Sequence, residues 1–151
     1  MARHGRQRDL LDWVPPEPVV RFDERTVRAA TVAGKLCRGI SQALKDCGRS
    51  RADVAKAVTE FLGEDMSTNM LNAYASEARD DHVINVVRFI GLIHATGDRR
   101  LLELIADMFG WIVMERKYLP LIELASLREK EDEISRQRDM LRRQAKNEGL
   151  L

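Results

Sequence analysis

An all-α fold is predicted for this chain, on three observations. Apolar residues recur at three- and four-residue steps in five successive segments. Ser, Asp and Gly residues stand where helices would start and stop. The connections between segments are short, about two to six residues, as in compact helical domains.

Residues 1–25 are set apart from that pattern. They hold Pro15, Pro16 and Pro18, and each proline pushes its predecessor out of the helical region, so DWVPPEPVVRF reads as extended. Trp13, Val14, Val19, Val20 and Phe22 supply an apolar patch. An extended arm with an anchoring patch is the expectation, with a plain flexible terminus as the alternative.

From Thr26 one helix is expected, striped by Val27, Ala30, Ala33, Cys37, Ile40, Leu44 and Cys47 and stopped at Gly48. Ser50 with Asp53 three residues on forms a capping box for a second helix. Its apolar face is Val54, Ala55, Val58, Phe61 and Leu62, and Gly63 ends it. Ser67 caps a short third helix with Leu71, Tyr74, Ala75 and Ala78 inward. Thr68, Asn69, Asn72, Ala73 and Ser76 are expected outward. Asp80 or Asp81 opens a fourth helix with Val83, Val86, Val87, Ile90 and Ile93 inside, closed near Gly97. Asp98 caps a fifth, whose apolar residues are Leu101, Leu102, Ile105, Met108 and Phe109, closed by Gly110. These five helices make one domain over residues 26–110.

Residues 111–119, WIVMERKYL, tolerate a strand and are read as a linker. Pro120 suits the first turn of a last helix over 120–151. Positions 124, 127, 131, 134, 138, 141 and 145 follow the alternating three- and four-residue steps of a coiled-coil seam. Leu124, Leu127, Ile134, Leu141 and Ala145 fit it as oligomerisation contacts, whereas Glu131 and Arg138 do not. A parallel homodimer would set Glu131 against Glu131, which leaves antiparallel or heteromeric pairing, or a solitary charged helix.

Composition narrows the function classes. The chain has 151 residues, 44% hydrophobic and 32% charged, which allows one domain plus an arm or tail and excludes wholesale disorder. No apolar run approaches the ~18–20 residues of a membrane span. The start MARHGRQR has no apolar stretch behind it, so no secretory signal and a cytoplasmic location are expected. Cys37 and Cys47 lie ten apart in the expected first helix, about 15 Å at helical rise, and read as reduced core residues. His4, His82 and His94 have no metal-ligand spacing. His82 beside Asp80 and Asp81 reads as a helix start, where acids favour the positive dipole end, or as a carboxylate-oriented base. No phosphate-binding loop, dinucleotide fingerprint or nucleophile elbow is present. No enzyme, metal or cofactor is expected.

Charge is uneven beneath a formal total of +1. Residues 26–63 hold seven basic residues against three acidic, net +4, and residues 64–110 four against eight, net −4. The second and third helices together read as a helix-turn-helix. The first residues of such a second helix enter the major groove, which makes Ser67, Thr68, Asn69 and Asn72 the candidate base contacts. Asn suits that role because its amide pairs with adenine through both a donor and an acceptor. Arg49, Arg51, Lys56 and Arg79 are the candidate phosphate contacts. The reading helix itself has no Lys or Arg between Ser67 and Ala78, and Glu77 adds repulsion.

SRADVAKAVTEFLG–EDMSTNMLNAYASE and the following DDHVINVVRFIGLIHATGDRRLLELIADMFG resemble the lambda-repressor-like helix-turn-helix superfamily over about residues 26–110. INVVRFIGLIHATGDRRLLELIA is similar to the segment after the reading helix in P2-like phage transcription activators. The whole chain, including RKYLPLIELASLRE, resembles small early-region proteins of phage Mu-like prophages. The turn LGEDMS is longer and more acidic than the family's tight turn. The resemblance implies a phage or prophage regulator that binds double-stranded DNA as a homo-oligomer, in the cytoplasm or nucleoid of a bacterial host. The alternative is an accessory factor on the same scaffold, docking on a protein partner in a transcription or transposition complex.

Overall fold

The computed structural model describes residues 19–78 and 82–150. The chain divides into two compact units, one spanning Glu17–Val113 and a second that takes in Met114–Leu151. The described residues form helices and connections, with no strand among them.

Two side-chain caps begin the first unit. The Asp23 carboxylate accepts from the Arg25 N–H at 2.9 Å and opens α1 (Glu24–Val27). Thr31 Oγ1 accepts from the Gly34 N–H at 3.0 Å and opens α2 (Val32–Asp46). The single helix expected from Thr26 to Cys47 is therefore two, parted by extended backbone at Arg28 and Thr31. The break resets the helical phase. Val27, Ile40 and Leu44 reach the core, while Ala30 and Ala33 are exposed. Cys37 and Cys47 are half-buried and not joined in a disulfide.

The capping expected for the next two helices is present. Ser50 Oγ accepts from the Asp53 N–H at 3.1 Å and donates to the Asp53 carboxylate at 2.6 Å, opening α3 (Arg51–Leu62). That hydroxyl holds the Asp53 carboxyl below its ordinary value. Gly63 ends α3 in the left-handed conformation, φ 70°, which costs glycine nothing. In the turn that follows, Met66 is buried and its N–H donates to Thr59 Oγ1 at 2.9 Å. Ser67 Oγ accepts from the Met70 N–H at 3.1 Å and opens α4 (Thr68–Tyr74). Leu71 and Tyr74 face inward as expected. Ala73, expected outward, is buried, because α4 is contacted by both α3 and α2. Ala78, expected inward, is exposed, because α4 has already ended at Tyr74.

The next helix differs most from expectation. Asp80 and Asp81 lie outside the described residues, and α5 (Val86–Thr96) is opened by Asn85, which accepts from the Arg88 N–H at 2.8 Å. Val83, Val86, Val87 and Ile90 were expected inside and are exposed, Val86 at 74%. Phe89, Leu92 and Ala95 fill the core instead. The reason is a close approach. A Cβ on Gly91 would lie 2.8 Å from Leu62 Cδ1 and 3.0 Å from Val58 Cγ1, so the side chains of α3 close directly on the glycine. Both faces of α5 are apolar, and periodicity alone cannot say which one packs.

The N-cap of α6 (Arg100–Asp107) is Arg99, which gives no side-chain cap, and not the expected Asp98, although the Asp98 carboxylate accepts from the Arg100 N–H at 3.0 Å. Leu101 is fully buried, while Leu102 and Phe109 are exposed. The segment 111–115 is irregular and forms no strand. Phe22, from the apolar patch of the expected arm, is a core residue and lies under the Arg100 guanidinium, 4.3 Å from the ring centroid. Of the patch's other residues, Val19 is half-buried, Val20 is exposed, and Trp13 and Val14 lie outside the described residues. Arg21 and Val113 converge on Glu103 of α6, which is 1% exposed. The Val113 N–H donates to its carboxylate at 2.6 Å, and Arg21 Nε is 3.4 Å away. Val19 N–H donates to the Val113 carbonyl at 3.2 Å, closing the unit's two ends together.

The second unit is simpler. A 3-10 turn, Arg116–Tyr118, leads into α7 (Leu119–Asn147), 29 residues with Pro120 in its first turn as expected. None of its residues is buried.

Candidate nucleic-acid interface

The second helix of the α3–α4 pair carries the candidate base contacts. At 100° per residue Thr68, Asn72 and Asn69 fall within one arc about 100° wide, while Leu71, Ala73 and Tyr74 lie on the others. All three polar residues are exposed and the latter three are buried. Ser67 is exposed as well, but its oxygen already accepts from the Met70 N–H, so its first role is as a cap. Asn69 and Asn72 thus present amides, and Thr68 a hydroxyl and a methyl, from one short surface.

The four candidate phosphate contacts do not behave alike. Arg49 Nη1 donates to the Ala95 carbonyl at 2.7 Å and its Nη2 to the Asp53 carbonyl at 3.4 Å. It therefore staples the start of α3 to the last turn of α5. These acceptors are neutral, so the positive charge persists at the exposed α2–α3 corner. Arg51 is half-buried, with Nη1 shielded from solvent. Lys56 is exposed and 3.8 Å from Glu60 one helical turn away, a pairing of small consequence at such exposure. Arg79 lies outside the described residues.

Two cations that no local sequence pattern singles out stand at the end of α4 and on its C-terminal flank. Arg38 of α2 donates to Glu77 at 2.5 and 3.1 Å and to the Arg28 carbonyl at 2.5 Å. The bond from Arg38 holds the Glu77 carboxyl below its ordinary value. The repulsion expected from Glu77 is thereby offset by a partner 39 residues earlier. Arg88 of α5 donates to the Tyr74 hydroxyl at 2.7 Å, which raises the guanidinium's affinity for its proton. Neither pairing has a local sequence signal, because each joins separate elements through tertiary packing.

Other chemistry has little to build on. Among the described residues no three His, Cys, Asp or Glu side chains come together as a metal site. His82 lies in the irregular segment before α5, not at the helix start expected for it. His94 stacks on Phe61, ring centroids 3.9 Å apart and planes within 15°. No described helix is long and apolar enough to cross a membrane. The proposed oligomerisation residues Leu124, Leu127, Ile134 and Leu141 are all exposed on α7.

No family model matches the chain, and neither a curated protein nor a solved structure is detectably similar to it.

Proposed function

We propose that this protein is a sequence-specific, phage-type DNA-binding regulator that acts as an oligomer. In this reading α3, the turn through Met66, and α4 are a helix-turn-helix within a lambda-repressor-like domain. The observation that carries it is the exposed arc of Thr68, Asn69 and Asn72 on the second of two packed, side-chain-capped helices. Amides in that position read base edges in the major groove. Arg49 and Lys56 supply phosphate contacts, Arg51 adds charge at the same corner, and α7 supplies assembly. The location that fits is the cytoplasm or nucleoid of a bacterial host.

A specific observation also favours a second reading, an accessory factor that docks on a protein of a transcription or transposition complex. Val86, Val87 and Ile90 share one exposed apolar face of α5 that the candidate DNA contacts do not use, and Val83 just before the helix is exposed too.

Binding of the full chain to a random-sequence duplex pool, followed by selection and salt titration of the enriched duplexes, separates the two. A regulator enriches a common sequence and loses affinity with a log–log slope of about −0.9 per phosphate contacted. The absence of any shift at low salt would reject DNA binding in favour of the accessory reading.

A further inference from the structure

α7 exposes a regular apolar seam along a helix about 44 Å long. Ile134, Arg138, Leu141 and Ala145 line one shallow groove on it, with Gln137 and Arg142 at its sides. Leu124 and Leu127 continue that seam toward the helix start and are exposed too. A helix of this kind draws most of its stability from packing its apolar face, and among the described residues nothing buries it. The seam contains two opposite charges, Glu131 and Arg138. They are seven residues apart, too far to pair within one helix, and no ion pair to either is found among the described residues.

We propose that α7 pairs antiparallel with α7 of a second copy of this chain, in a register that sets Leu124 opposite Leu141 of the partner subunit. The proposal rests on the assembly half of the function argued above and adds the partner, the orientation and the register. In an antiparallel coiled coil each layer joins an a position of one helix with a d position of the other. Taking 124, 131 and 138 as a, and 127, 134 and 141 as d, gives the layers Leu124–Leu141, Leu127–Arg138 and Glu131–Ile134, followed by the same three reversed. Glu131 then lies four residues, about 6 Å along the axis, from Arg138 of the partner subunit on one side and three residues, about 4.5 Å, from Glu131 of the partner subunit on the other, so no like charges share a layer. The two-fold axis repeats that opposite-charge approach on the other side. Isologous pairing of this sort closes on itself as a dimer.

The alternatives are poorer in charge or in contact. A parallel pair stacks Glu131 on Glu131 and Arg138 on Arg138 inside the seam. A shift of one heptad sets Leu141 against Lys117 in one direction and Leu124 against Glu148 in the other. Charged residues at a positions cost stability and are used to specify orientation. The chosen register also sets the two Leu119 residues about 40 Å apart along the rod, at opposite ends.

The test uses the full chain with Cys37→Ser and Cys47→Ser, into which Leu124→Cys and Leu141→Cys are introduced separately. On mild oxidation neither variant alone should give a disulfide-linked dimer, and an equimolar mixture should give one. Self-linkage of Leu124→Cys would overturn the proposal in favour of a parallel pair. A mixture that does not cross-link, with monomer mass by light scattering, would overturn it in favour of a heteromeric partner or a solitary helix. Charge reversal is the second arm. Arg138→Glu should weaken the dimer at least about tenfold, and Glu131→Arg in the same chain should restore it. A parallel pair would instead be little affected by the single reversal, since it exchanges one like-charge layer for another. Cross-linking is read without DNA, so a protein that fails to bind DNA can still satisfy this test, and the converse holds too.

Discussion

Tyr74, the last residue of α4, accepts a hydrogen bond of 2.7 Å from the guanidinium of Arg88 in the first turn of α5. A cation in the first turn of a helix is opposed by the helix dipole. Here the phenolic oxygen offsets that opposition and ties the candidate reading helix to its neighbour. Tyr74→Phe keeps the ring and removes the acceptor, so stability should fall by about 1–2 kcal/mol. Urea denaturation measures it, and an unchanged midpoint would mean that water replaces the bond without loss.

Asn72→Ala should relax base discrimination by roughly 1–3 kcal/mol on the selected duplex, with little effect on random-sequence DNA. Far-ultraviolet circular dichroism should be unchanged, since Asn72 is exposed on α4. Equal loss on every sequence would assign Asn72 to phosphate positioning and remove it from base readout.

The Arg38–Glu77 and Arg100–Asp46 pairs make stability depend on acid. Hydrogen bonds from Arg38 and Arg100 hold the Glu77 and Asp46 carboxyls below their ordinary values. A carboxyl depressed in the folded state contributes fully above its unfolded pKa of about 4. That contribution is lost as pH falls through the depressed folded value. The urea midpoint should therefore decline progressively below about pH 4, and Glu77→Gln should flatten part of the decline. A midpoint equally steep in wild type and Glu77→Gln would show that the Arg38 pair contributes nothing.

Gly91→Ala tests why α5 presents the face it does. The added methyl meets Leu62 Cδ1 at 2.8 Å and Val58 Cγ1 at 3.0 Å, so these α3 side chains must shift out of their packed positions. A loss of about 1–3 kcal/mol is expected in thermal or urea melts. By contrast, Val86→Ala on the exposed side should change stability by less than about 0.5 kcal/mol. Reversal of that order would mean that the two faces of α5 have been exchanged.

Local signals carried the sequence reading as far as such signals reach. Ser50, Ser67, Gly63, Gly97 and Pro120 mark helix ends through bonds to neighbouring backbone or through fixed dihedrals, and the structure has them there. Asp23, Thr31 and Asn85 act by the same chemistry, but apolar periodicity runs on across them and masks their caps in the linear pattern. The orientation of α5 was not legible at all. Val86, Val87 and Ile90 are more apolar in pattern than Gly91 and Ala95, yet the small residues are what let α3 approach. For the candidate interface, Thr68, Asn69 and Asn72 were legible as a polar arc. Arg38 and Arg88 were not, since each meets α4 or its flank only after the chain has folded.

The junction at Glu103 has a topological consequence. Val19 and Val113 share a hydrogen bond, and Arg21 and Val113 share one buried carboxylate. The backbone of the first unit thus comes back to its own beginning, so a short peptide could bridge 113 to 19 and new ends be opened at an exposed turn such as Glu64–Asp65. Such a circular permutant should keep the same core, and it would present whatever is fused to it from a different side of the same helical scaffold.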